Sequence, residues 1–279
     1  MQTAQAQEFN EFSNDGYNQN SVRPIHESHI MYKKTLWYRM SLKEKQNKPL
    51  FAKNNELPRL IIEAAKLGII RPYENDSLRT RKSNEKFLEA LKIPTSEPTL
   101  SEDEIAMGFG GEESGGGGGE DFGTDGGWGD GGNSSAAANE YFMTDFYLME
   151  IREDMLFDKK RSRMIHDIQA ITIILPAEKD VSGKGIEVPI ASFSYKELCS
   201  NLFRDNPNAI WYSDANQRSH LNLEKAFDLR LFAARIAKFA NGDDRSISDM
   251  AEGGDLGALV DSQRYEHWLV EYESNLWEN

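Results

Sequence analysis

Cysteine is almost missing. The chain of 279 residues has one, Cys199. That excludes an intrachain disulfide framework and a zinc site built on thiolates. Long apolar runs are missing too: no stretch reaches 18 apolar residues, which excludes an ordinary transmembrane helix. The opening Met-Gln-Thr-Ala-Gln-Ala-Gln has neither a basic nor an apolar region and does not read as a secretory signal. Lys and Arg are absent between Lys92 and Arg152, a gap that holds 13 acidic residues. Outside the gap 33 acids face 32 bases, so the formal charge of −14 belongs to one segment. A near-neutral body with an acidic segment lacks the basic footprint expected of a nucleic-acid binder.

Sites for catalysis are also sparse. His26 and His29 flank Glu27, but a zincin needs His at i and i+4 on a helix, and Pro24 opposes a helix there. His166 sits among aliphatic residues and reads as a face-alternating strand residue. Cys199, in Lys-Glu-Leu-Cys-Ser-Asn-Leu-Phe, reads as a small buried hydrophobe. There is no nucleophile elbow and no P-loop. The glycines 115–119 lack the P-loop Lys, and the neighbouring acids would repel phosphate. Gly126-Gly127-Trp128-Gly129-Asp130 has a faint likeness to calcium-binding nonapeptide repeats but lacks their period. No catalytic, cofactor-binding or metal-binding residue is assigned, and no cofactor is expected. A calcium-responsive or adaptor module using the acidic Gly-rich segment is the alternative reading.

The patterning is that of an α+β protein. A disordered arm is expected over 1–20, where Phe9 and Phe12 are candidate docking residues. A small N-terminal α/β lobe is expected over 21–95, a long disordered Gly-rich acidic linker over 96–139, and a C-terminal antiparallel sheet with packed helices over 140–279. Residues 108–132 hold 14 of the 22 glycines. Glycine loses the most entropy on ordering, and like charges repel, so that stretch reads as a solvated tether. In the first lobe, 29–45 reads as an extended piece and then a short helix. Residues 57–67 read as an amphipathic helix closed by Gly68, 69–70 as a short strand, and 84–91 as a further helix. In the second lobe, strands are expected from about 142 to 151, at 164–175, at 186–193 and at 209–212. Helices are expected at 194–203, with a capping box from Ser194 and Glu197, at 223–240 after Asn222, and at 257–277. The turn Phe157-Asp158-Lys159-Lys160-Arg161, with Arg163, is the densest positive cluster and a candidate docking edge for an acidic partner.

Four segments carry a family resemblance. They are Arg23-Pro24-Ile25 followed by 33–50; residues 143–164, which contain the Phe157-Asp158-Lys159-Lys160-Arg161-Ser162 turn; residues 223–238; and 261–277 with the ending Leu276-Trp277-Glu278. Together they resemble the GldN/PorN family. The resemblance implies a non-enzymatic structural subunit of the type IX secretion and gliding motility machinery. It implies a periplasmic location and a ring built with a GldK/PorK-type outer-membrane lipoprotein and further copies of the chain. GldL/GldM-type inner-membrane motor proteins would be further partners, with no nucleic acid and no direct membrane insertion. Function would then lie in interaction surfaces, where aromatics and Arg dominate. The candidate partner-binding residues are Trp37, Tyr38, Arg39, Phe157, Asp158, Lys159, Lys160, Arg161, Arg163, Arg230, Trp268 and Trp277.

Overall fold

Strand β1, Ile30–Ser41, organises the molecule. Side chains alternate across a strand, and Leu36, Tyr38 and Met40 are buried on one face while Trp37 and Arg39 are half-buried on the other. Both faces therefore need cover. A computed structural model describes residues 15–94, 140–180, 185–214 and 216–277. Within them β1 is an inner strand of a five-stranded antiparallel sheet with the order β6-β5-β4-β1-β9. Its neighbours are β4, Leu148–Asp158, and β9, Arg235–Phe239; β5, Arg163–Leu175, and β6, Val188–Ser194, complete the sheet. The β1–β4 register runs from Ile30 opposite Asp158 to Ser41 opposite Leu148.

This arrangement corrects the expectation of two lobes. The chain divides into one unit of residues 1–91 with 142–279 and another of 92–141. The first segment supplies an inner strand to a sheet whose other strands come after the acidic stretch. β1 cannot satisfy both of its backbone edges within its own segment, so it takes them from β4 and β9. In the second unit, Lys92 and Glu140 form an isolated antiparallel bridge. The expected linker at 96–139 and the first 14 residues of the expected arm lie outside the described residues. The last six arm residues are ordered, contrary to expectation. Tyr17 bridges His26, the buried Asn18 donates to Gln169 Oε1 at 3.3 Å, and Lys196 Nζ donates to the Gln19 carbonyl at 2.7 Å.

Helix α1, Leu57–Lys66, forms as expected: Leu57, Ile61, Ile62, Ala64 and Ala65 are buried along one stripe, and Gly68 closes it at a φ of +74°. Helix α2, Asn84–Ala90, starts on a Ser83 side-chain cap and buries Phe87 against Phe193 of β6, rings 6.2 Å apart. The short strand expected at 69–70 is absent from the described elements. β2, Phe51–Ala52, and β3, Asn55–Glu56, form a two-stranded ribbon; β7, Ile210–Trp211, and β8, Leu221–Asn222, form another. Helix α3, Tyr195–Leu198, continues as a π turn through Phe203. The expected capping box is not made: Ser194 makes no side-chain cap bond, and Glu197 pairs with Arg81 instead.

The largest departure lies at 223–240. Helix α4 covers only Leu223–Asp228, on the expected Asn222 cap, and the chain then turns at Arg230, φ +53°, and returns as β9. The buried Asn47 explains the change. Its carboxamide donates to the Ala233 carbonyl at 2.7 Å and accepts from the Ala233 N–H at 2.8 Å. Those groups would otherwise serve a helix. The free edge of β1 takes Arg235–Phe239 as a strand, and tertiary pairing overrides local helix propensity. Helix α5, Ile247–Met250, has a Ser246–Asp249 capping box and leads to α6, Gly254–Trp277, which packs on β9. No helix of the described residues is long and apolar enough to cross a membrane.

Candidate interaction surface

The basic turn projects from the β4–β5 hairpin. Asp158 is 2% exposed, and its Oδ1 accepts from the backbone N–H groups of Lys160, 2.8 Å, and Arg161, 3.3 Å. The Lys159 N–H donates to the His29 carbonyl at 2.8 Å, which ties the turn to the start of β1. A carboxylate that accepts two successive N–H groups fixes a tight turn, and Ser162 completes it at a φ of +48°. Phe157 and Asp158 are thus inward-facing supports, while Lys159, Lys160, Arg161 and Arg163 are exposed. Arg161 keeps one loose contact with Asp158 at 3.5 Å.

The aromatic side of α6 meets the same end of the sheet. Tyr265, Trp268 and Tyr272 recur at i, i+3 and i+7, one face of a helix. Their rings stack in sequence at 5.4 and 5.3 Å. Phe239 of β9 continues the stack at 4.2 Å and Tyr32 of β1 at 4.8 Å. Tyr32 stands opposite Phe157 in the β1–β4 register, next to the basic turn. Trp268 remains 45% exposed in this ladder and is its outward-facing member. Trp277 is the last described residue of α6.

The other candidates hold the fold together. Trp37 Nε1 donates to Asp76 Oδ2 at 2.6 Å, and the Lys238 ammonium lies 4.8 Å from its ring. Arg39 pairs with Glu187 at 2.9 Å. Tyr38 is buried, which raises the pKa of its hydroxyl, and the Arg230 guanidinium lies 5.3 Å from its ring. Arg230 also reaches Glu153 Oε2 at 2.5 Å, and His166 Nδ1 contacts the other carboxylate oxygen at 2.5 Å. Burial would raise the pKa of Glu153, but the His166 hydrogen bond and the Arg230 charge outweigh it and hold the carboxyl below its ordinary range. Glu153 escaped the sequence reading, which took His166 as a face-alternating strand residue. The one available signal was a pair of adjacent acids, Glu153-Asp154, which breaks the alternation of apolar and polar residues in β4. Cys199 is buried, and burial pushes its thiol up to about 12, which leaves no thiolate for chemistry near neutrality. Among the described residues no group of three or more His, Cys, Asp or Glu is placed to hold a metal ion.

The sequence matches the family described as gliding motility associated protein GldN over residues 25–278. The chain belongs to the GldN family. A comparison with curated proteins finds no match. The GldN-family match takes in every strand of the five-stranded sheet and the six α-helices of the described residues, so it spans both parts of the first unit. Within this GldN-family chain, the exposed members of the candidate set among the described side chains are the four cations of the turn and Trp268.

Proposed function

We propose that this GldN-family protein is a non-enzymatic structural subunit of the type IX secretion and gliding machinery. It works in the periplasm, in a ring with a GldK/PorK-type outer-membrane lipoprotein and further copies of itself. GldL/GldM-type inner-membrane motor proteins are further partners. The observation that carries this reading is the family match over 25–278, whose description is gliding motility association. The rigid basic turn and the half-exposed Trp268 support it at the level of chemistry. Cations held on a fixed turn cost little entropy to dock, and an exposed aromatic supplies apolar area. An acidic face on the lipoprotein would complement that pair.

Titration of the full chain with the soluble part of the lipoprotein tests this reading. The triple variant K159E/K160E/R161E should weaken binding at least about tenfold, mainly through a slower on-rate. Its circular dichroism should match wild type, because all three side chains are exposed. Unchanged affinity in the variant would remove the turn from the interface.

A further inference from the structure

A cleft of about 1100 Å³ takes no part in the surface described above. Small-molecule sites occupy about 300–1,000 Å³, so this one has room for a peptide. It lies between the β2–β3 ribbon, the start of α1 and the β7–β8 ribbon. Phe51, Leu60 and Ile210 give it apolar walls, and the exposed Lys48 and Lys53 stand along it. Arg59 and Glu63, also in the lining, neutralise each other at 2.7 Å.

The geometry points to one occupant: the segment Glu8-Phe9-Asn10-Glu11-Phe12 of a second copy of this chain. Those residues lie outside the described ones, and their chemistry complements the cleft. Two Phe suit the apolar walls, and two Glu suit the lysines. Reach puts the Leu42 end of the cleft beyond the tail of the same molecule. Glu8 lies seven residues before Asp15, and an extended chain spans at most about 3.6 Å per residue, about 25 Å in all. Gly16 is fastened at the start of β1, where its carbonyl accepts from the Glu27 N–H at 2.8 Å. The cleft residue Leu42 follows the other end of that 12-residue strand, about 36 Å away at roughly 3.3 Å per residue. A tail of one copy in the cleft of the next is a heterologous contact, which propagates head to tail and closes into a ring when the rotation allows. The inference rests on the assembly reading and specifies its copy-to-copy contact.

The test uses a fluorescent peptide of residues 1–14 against the full chain, and sedimentation velocity of full-chain variants. The peptide should bind, and K48E/K53E should weaken it at least about tenfold. F9A/F12A and K48E/K53E should each abolish concentration-dependent self-association. An equimolar mixture of the two should stop at dimers, because one variant keeps a working cleft and the other a working tail. A peptide that does not bind, or binds K48E/K53E as well as wild type, overturns the proposal. If both variants self-associate like wild type, copies meet elsewhere, so the tail contact falls and the assembly reading survives. A wild-type chain that neither self-associates nor joins the lipoprotein removes both.

Discussion

Replacing Arg230 with Met removes the guanidinium that answers Glu153 while keeping most of the side chain's length. Glu153 is 0% exposed, held between Arg230 and His166 at 2.5 Å each. Removing one partner of a buried ion pair costs about 3–5 kcal/mol, because the surviving charge stays buried. Here the lower end, about 3 kcal/mol, is expected, since His166 remains as a partner. For a folded chain of this size that corresponds to a fall of about 6–12 °C in Tm. Arg230 sits at a φ of +53°, which Met tolerates no better, so backbone strain cancels in the comparison. The pH dependence separates charge from packing. In wild type Glu153 has a lowered folded pKa, so its contribution is present above the unfolded value and lost as pH falls through the folded one. In R230M only His166 still opposes burial, so Glu153 takes up a proton at higher pH than in wild type, and the deficit against wild type should shrink between pH 7 and pH 5. Urea unfolding at the two pH values measures both effects. A deficit under about 1 kcal/mol at pH 7, or one that grows on acidification, would refute the reasoning.

Three further expectations concern other parts of the chain. Burial pushes the Asp167 carboxyl up to about 6, the Ser21 hydrogen bond opposing and the Asp154 charge adding. Its contribution is therefore full below the unfolded value and lost as pH rises through about 6. Chemical denaturation should show Asp167→Asn lacking about 1 kcal/mol of the stability that wild type gains between pH 7 and pH 5; equal slopes would count against a buried, charge-averse Asp167. Gly68→Ala should cost about 1 kcal/mol in thermal unfolding from backbone strain alone, since nothing lies within 4 Å of an added Cβ at its φ of +74°; an unchanged Tm would contradict that. Raising salt should weaken docking at Lys159–Arg163 more than it changes unfolding of the chain, and a salt-independent affinity would count against the turn as the contact.

Strong local patterns were legible in the sequence. The apolar stripe of 57–67, the Gly68 stop, the long aliphatic run of β5 and the basic turn all follow from periodicity and end signals. What escaped depended on partners distant in sequence. Residues 223–240 look helical throughout, yet Asn47, almost 190 positions earlier, takes the Ala233 peptide and β1 takes Arg235–Phe239. The two-lobe reading failed for the same reason, because no local pattern says that β1 lies between β4 and β9. Of the candidate surface, exposure sorted the residues: Phe157 and Asp158 turned inward to support the turn, and Trp37, Tyr38 and Arg39 were consumed by Asp76, Arg230 and Glu187. The Arg230–Glu153–His166 cluster joins β4, β5 and the loop before β9, and only the sheet register brings those side chains together.

The central claim, that this protein is a structural subunit assembled with a GldK/PorK-type lipoprotein, is tested most directly by coexpression. The two chains are produced together with lipidation of the partner blocked, and the purified material is sized by gel filtration and mass photometry. Co-elution in a particle many times larger than one copy of each chain is the predicted result. Two separate species, each at the mass of its own monomer, would contradict the account.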